Sequence, residues 1–358
     1  METAIVPEQS LIPKPTPLCP VFGECGGCQY QHISYDEELR LKQGYLKNLL
    51  TGRPNLKEDI FEDIVPSPEV YHYRHRLDLK LLRTKREEIF IGFSPENGFK
   101  VIAIDACPIA MRAVSNFIPE LKRQAIARLP ERYRLANLVV KTGDDGRVFW
   151  GGIGRRSLQI KESEYLWTEI QGKKIFYSLD TFFQANLSIL PELIKRIQSL
   201  PEIWGPQTIL LDCYGGVGFF GICLYHLVKK VILIEECPAA LKLAQFNRRH
   251  HQLNEFEIYS GKVEDQLPQL LQTSANYKKV VMVDPPRKGL SASALNIFTQ
   301  ATEIDWLMYV SCHPESLARD LNSFLKADWQ VTKIIPFDFF PRTKHLETLV
   351  VLKRKELP

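Results

Sequence analysis

The side chains best suited to chemistry stand at the ends of short apolar runs. Ser311-Cys312-His313-Pro314 follows WLMYV, and Asp284-Pro285-Pro286-Arg287-Lys288-Gly289 follows VVMV. A thiol at a loop start just before a helix meets exposed backbone N–H groups, which lower its pKa and suit it to nucleophilic attack; an inert buried thiol is the alternative. The proline pair removes two backbone donors and stiffens a turn that can wall a flat pocket, with the Asp284 carboxylate able to accept a hydrogen bond there. A third run, TILLDC (208–213), leads into Tyr214-Gly215-Gly216-Val217-Gly218. Glycines let such a turn bend tightly against a ligand, and Glu235, closing the next strand, stands where a carboxylate could accept two ribose hydroxyls. Gly216 to Gly221 also fits the G-x-G-x-x-G of dinucleotide enzymes, whereas Asp212 and the crowded glycines suit adenosyl-methionine. The turn alone leaves both open.

Two other concentrations stand out. Cys19, Cys25 and Cys28 place three thiols within ligand reach, Gly23, Gly26 and Gly27 let the chain curl around a centre, and Cys107 in DACPI is the remote fourth candidate. Four thiolates could hold zinc; a cluster without metal is the bland alternative. Tyr71-His72-Tyr73-Arg74-His75-Arg76 is the main basic stretch. Alternate residues of a strand share a face, so Arg74 and Arg76 can meet phosphates together while the interleaved aromatics stack on unpaired bases. A solvated basic strand is the competing reading. Arg287, Lys288, Arg342 and Lys344 add charge beside the loops named above.

The elements that must position these groups follow from patterning. Ser34 and Glu37 have capping-box spacing ahead of a helix that carries Leu39, Leu46, Leu49 and Leu50 to the break at 51–54. Residues 74–165 alternate short apolar runs with glycine turns around one helix near 108–129, as in a small, mainly β unit. From about 180, strand-length apolar runs separated by helix-length segments predict a mostly parallel sheet covered on both faces. WQVTKIIPFDFF and HLETLVVLKR lack a helix-length spacer and predict an antiparallel pair at one edge. The domain reading is therefore a cysteine-rich lead-in (1–33), a helical connector (34–70), a mainly β central domain contributing Cys107 (71–175) and an α/β catalytic domain (176–358). A chain of 358 residues, 45% apolar and 25% charged, can bury a core. Its net charge of +4 does not announce a nucleic-acid binder but permits one where charge is local. No run reaches the roughly 18 apolar residues of a membrane span, and the proline-rich start lacks the pattern of a secretory signal.

DPPRKG (284–289), SCHPESLARD (311–320), DFFPRTKHLETLVVL (338–352) and FFQAN (182–186) together resemble the RNA 5-methyluridine, or uracil-C5, methyltransferases. The resemblance runs from about 19 to 353 and is densest in the catalytic part. It implies a Rossmann-like, S-adenosyl-L-methionine-dependent methyltransferase domain beside a smaller, mainly β domain, acting in the cytoplasm on RNA. The short lead-in implies a branch lacking the N-terminal RNA-binding β-barrel. Cys312 would then be the nucleophile and Glu347 the base. Asp212, Tyr214, Gly216, Gly218, Glu235 and Asp284, with Gln184, would hold the cofactor. Phe182, Gln184, Arg74, Arg76 and Arg287 would meet the substrate. The family's ligand pattern implies that Cys19, Cys25, Cys28 and Cys107 bind a [4Fe-4S] cluster, and the expected substrate is ribosomal RNA ahead of transfer RNA. The chain departs from the family at His313, where Asn is usual; at Gly215-Gly216, where Cys-Gly is common; at Phe219, where Asn is common; and at Lys262, which replaces an acceptor for the adenine. A catalytically impaired iron-sulfur RNA-binding protein is the alternative these departures raise. A nicotinamide oxidoreductase would leave Cys312 and Glu347 without a role.

Overall fold

The computed structural model describes residues 15–53, 56–86, 88–95, 100–132, 134–152, 160–273 and 276–355. The first half of the expected lead-in, residues 1–14, lies outside them, as does Pro54 of the expected break.

Seven strands form the larger sheet: β8 (Gly205–Cys213), β9 (Val228–Glu235), β10 (Phe256–Ser260), β11 (Lys278–Val283), β12 (Trp306–Ser311), β13 (Trp329–Phe337) and β14 (Glu347–Arg354). Their order is β10-β9-β8-β11-β12-β14-β13. The first five are parallel, and the last two join antiparallel, β14 against β12 and β13 against β14. Such strands are apolar on both faces because helices cover both. Leu210, Leu233, Met282 and Val310 enter one core, while Leu211, Ile234, Val283 and Tyr309 enter the other. Each aliphatic side chain so removed from water contributes roughly 1.5–3 kcal/mol before entropy is counted. Helices α3 (Leu190–Gln198), α4 (Phe219–Leu224), α5 (Pro238–His250), α6 (Val263–Thr273), α7 (Ala292–Gln300) and α8 (Pro314–Lys326) complete this layer arrangement.

The expected mainly β region is an antiparallel sheet, β3-β2-β1-β4-β5, from β1 (Arg76–Arg83), β2 (Ile89–Phe93), β3 (Ile102–Ala103), β4 (Leu135–Thr142) and β5 (Val148–Gly152). Helix α2 (Arg112–Arg128) covers one face through Val114, Ile118, Leu121 and Ala125. A hairpin, β6 (Leu166–Ile170) and β7 (Lys173–Tyr177), leads into the larger sheet.

Upstream, α1 (Tyr35–Leu50) starts as its caps demand, with Ser34 Oγ accepting from the Glu37 N–H at 3.2 Å. Leu46 and Leu50 pack into one core of the larger sheet, and the charged Glu38 and Lys42 of the same helix are, less expectedly, also buried. Past α1 the connector runs beside β13: Glu62 N donates to Ile334 O at 2.9 Å and Val65 N to Pro336 O at 2.8 Å.

The structure overturns the iron-sulfur reading, and the zinc reading with it. Among the described residues no group of three or more Cys, His, Asp or Glu side chains is placed to hold a metal ion. Cys19, Cys25, Cys28 and Cys107 do sense one another, since the other three all raise Cys28. The larger cause is burial, which pushes Cys28 up to about 12 and Cys107 up to about 11, so both remain protonated thiols near neutral pH. Cys107 is a core residue beside Ile104, Ile109 and Val114, and Cys25 Sγ accepts from the Gly27 N–H at 3.4 Å. The close spacing of the first three reflects a compact turn packed on the β sheet.

Candidate active site

The parallel strands end on one rim, where ligands of such sheets bind. Beyond β8 the chain turns through Tyr214 (φ 60°), Gly216 (φ 55°) and Gly218 (φ 89°) into α4. Glycine enters this left-handed region freely, whereas Tyr214 is held there at some cost. Glu235 fixes the turn from β9. Its Oε2 accepts from Gly216 N at 2.9 Å, and its Oε1 accepts from Glu236 N at 2.9 Å and Cys237 N at 2.7 Å. Asp212 lies beneath, 1% exposed, accepting from Gly221 N at 2.9 Å, and burial pushes its carboxyl up to about 8. It braces the turn from below.

Above the turn opens a cleft of about 370 Å³ lined by Tyr214, Glu235, Glu236, Val263, Glu264 and Leu290. Carboxylates beside apolar walls fit a ligand that joins a flat ring, a diol and positive charge, as adenosyl-methionine does. Lys262 also reaches this cleft, and the neighbouring Glu264 supplies a carboxylate there, partly engaged by Ser291 and Ser293.

The thiol and the carboxylate meet through sheet register. Ser311 of β12 pairs with Thr348 of β14, so Cys312 and Glu347, one residue further out on each strand, flank each other at the rim. Asp284, at the end of β11, accepts from Gln184 Nε2 at 2.6 Å. Glu347 is 2% exposed, and among the described residues its Oε1 has no hydrogen-bond partner. Burial first, then repulsion from Asp284, raises the Glu347 carboxyl well above the usual range, with Arg287 opposing. Burial likewise pushes Asp284 up to about 7, against the hydrogen bond from Gln184. Cys312 is pushed up to about 12 by burial, then by Glu347 and Asp284. The expected lowering of this thiol by the helix start is therefore reversed, because burial first, and the two acidic groups after it, outweigh the backbone dipoles. His313 instead caps α8, its Nδ1 accepting from Ser316 N at 3.3 Å. Asn is itself a preferred cap, so the departure from the family pattern keeps that role.

The substrate-side residues divide. Phe182 projects outward, 67% exposed, and Gln184 is buried at the rim. Arg287 is exposed beside the site. Arg74 Nε is engaged by Arg76 O at 3.0 Å, and Arg76 pairs with Asp78 at 2.6 Å. Of the interleaved aromatics, Tyr73 and His75 are buried and not available for stacking, with burial lowering His75 to about 3, while Tyr71 and His72 are half-buried. Arg342 does not reach the pocket mouth either. It is buried between the Tyr35 and Tyr71 rings, donates to Ile33 O at 3.1 Å and lies 3.5 Å from Glu38. Sequence reasoning missed the group around it. Lys42 Nζ bonds Glu38 and Asp338, both at 2.7 Å, tying α1 to the loop before β14. The only local signal was the i,i+4 pair Glu38–Lys42, which reads as an ordinary exposed helix pair.

A Rossmann-type sheet with a glycine turn, an acidic β9 end and a cleft over both defines a methyltransferase-like class. Residues 154–355 match the tRNA (Uracil-5-)-methyltransferase family, and the chain belongs to it. It is an RNA (uracil-5-)-methyltransferase, with RNA as its substrate. An uncharacterised RNA methyltransferase of Clostridium acetobutylicum is 27% identical over 94% of this chain and 83% of its own length. Another, from Aquifex aeolicus, is 26% identical over 94% and 84%. The solved tRNA (uracil-54, C5)-methyltransferase of Pyrococcus abyssi, in complex with S-adenosyl-L-homocysteine, shares the fold at 23% identity and a TM-score of 0.70, over 91% of this chain and 85% of that one. The matching family is described as acting on transfer RNA, which overturns the expectation of ribosomal RNA. The alternative of an iron-sulfur RNA-binding protein falls with the missing ligand group. Among the described residues no helix is long and apolar enough to cross a membrane.

Proposed function

We propose that this chain methylates C5 of a uridine in transfer RNA with S-adenosyl-L-methionine, using Cys312 as nucleophile and Glu347 as base. The observation that carries the reading is the β12–β14 register, which brings that thiol and that carboxylate to one rim beside the cleft. Uracil C5 is a poor nucleophile until a thiolate adds to C6 and the ring becomes an enolate. Glu235 and the turn through Tyr214, Gly216 and Gly218, with Asp212 bracing from below, would hold the cofactor, whose sulfonium would supply an electrophilic methyl group to C5 and leave as the neutral thioether. Glu347 then removes the C5 proton, and Cys312 leaves C6 by elimination. In the free site Cys312 holds its proton, so the adjacent Asp284 carboxylate, made more basic by burial, is the acceptor that can generate the thiolate as the uracil enters, leaving Glu347 free to take the C5 proton. Phe182 packs on the extruded base and Gln184 reads its edge, while Arg74, Arg76 and Arg287 lie toward the phosphates. The protein works in the cytoplasm, where its RNA substrate is.

The test is incubation of the enzyme with transfer RNA lacking 5-methyluridine, the product mapped by mass spectrometry with uridine 54 as the first position to inspect. Formation of 5-methyluridine and a covalent adduct with 5-fluorouridine RNA are expected. Full methylation by Cys312→Ala would overturn the mechanism.

A further inference from the structure

The segment that carries Phe182 and Gln184 is held from outside the larger sheet. Lys141, next to last in β4, is 0% exposed. Its ammonium donates to two carbonyls, Ser178 O at 2.9 Å and Thr181 O, and thus to backbone instead of a carboxylate. Arg76 stands opposite it in the β1–β4 register. Burial, and then that facing guanidinium, push the amine down to about 7, so holding it charged there carries an electrostatic cost.

Among the described residues the other hydrogen bonds of the turn it holds close on the turn itself. Ser178 N donates to Thr181 Oγ1 at 3.0 Å, and Ser178 Oγ to Asp180 at 2.5 Å. The next three residues diverge at once. Phe182 points out, Phe183 stacks on Tyr177 with centroids 4.5 Å apart, and Gln184 turns to Asp284. Two adjacent phenylalanines facing opposite ways make the placement sensitive to a small slip of the turn.

We propose that Lys141 is a positioning residue of the uracil pocket, its amine fixing the Ser178–Thr181 turn and thereby the directions of Phe182 and Gln184. This rests on the reading that those two side chains meet the base. An apolar chain of similar length could fill the same space, but it could not hold two carbonyls.

The experiment compares Lys141→Met, Phe182→Ala, Gln184→Ala and the double variants with the native enzyme on the same transfer RNA. Lys141→Met is expected to raise KM about tenfold, to change kcat by less than about threefold, and to leave the thermal midpoint equal or higher. Its effect is expected to be non-additive with Phe182→Ala or Gln184→Ala, as for groups acting through one contact. Amide exchange over 178–184 is expected to speed up about tenfold, with the rest of β4 unchanged. Unaltered kinetics, unaltered exchange in that segment, or a loss that is additive and tracks a lower midpoint would each overturn the proposal. Should Lys141→Met fail to fold, Lys141→Gln, which keeps an amide donor, is expected to show smaller shifts in KM and exchange; native values for both would overturn it equally. Failure of the underlying reading looks different. Phe182→Ala and Gln184→Ala would then both be silent, while Lys141→Met changed only exchange, an outcome that also sinks the positioning role.

Discussion

Burial pushes Cys28 and Cys312 alike up to about 12, yet their surroundings are opposite. Cys28 faces three other thiols and the apolar surface of the β sheet. Cys312 faces two carboxyl groups that share its rim, one of which holds the amide of Gln184. Acidity therefore does not separate Cys28 from the proposed nucleophile. The difference lies in whether sheet register has placed a second chemical group where a substrate atom would need it.

The sharpest way to break this comparison is to remove each sulfur. Cys312→Ala is expected to lose methylation by ~10⁴-fold or more together with the 5-fluorouridine adduct, since nothing else at the rim can add to C6. Cys28→Ala is expected to keep turnover within about threefold and to lose roughly 1 kcal/mol of stability from a half-buried site. Comparable losses of methylation in both variants would erase the distinction. Next in size is Glu347→Gln, where turnover falls about 10²–10⁴-fold while the adduct still forms and accumulates, because addition precedes proton removal. Denaturing gels with labelled RNA read both quantities.

The carboxyl pair gives a smaller, pH-dependent contrast. Asp284 is raised to about 7, so its ionised form is the unfavoured one in the folded site. It follows that kcat/KM rises as pH increases through about 7, and that Asp284→Asn alters this limb. Stability runs the other way, declining as pH climbs from the ordinary carboxylate range through about 7. A kcat/KM profile that is flat from pH 6 to 8 would show that the pair does not govern the free enzyme. The smallest effect belongs to the cap beside Cys312. His313→Asn is expected to keep activity within about twofold, and His313→Ala to cost about 1 kcal/mol in denaturant unfolding. A tenfold fall in kcat for the Asn variant would assign His313 to chemistry.

The parallel strands, the antiparallel closing pair and the cap at Ser34 were readable because each follows from local periodicity or spacing. The same holds for the rim residues that stand at strand ends, since a parallel sheet gathers those ends by construction. What escaped depended on partners far away in the chain. Lys42 meets Asp338 across 296 positions, and nothing near either residue signals it. Arg342 carries the composition of a surface contact yet lies between two tyrosine rings. Tyr73 and His75 alternate with arginines as a nucleic-acid strand would, but their face is turned inward by the β1–β4 pairing and the bridges at Arg74. The cysteine turn misled for a related reason: close spacing brings sulfurs near each other without aiming them at one point.

The pairing of residues 62–65 with β13 reaches beyond catalysis. Without it, the outermost strand of the larger sheet would present unsatisfied amides and carbonyls to any neighbouring chain, an open template for aggregation. A truncated protein beginning after Val65 would thus be expected to self-associate through that strand before its catalytic competence could be measured.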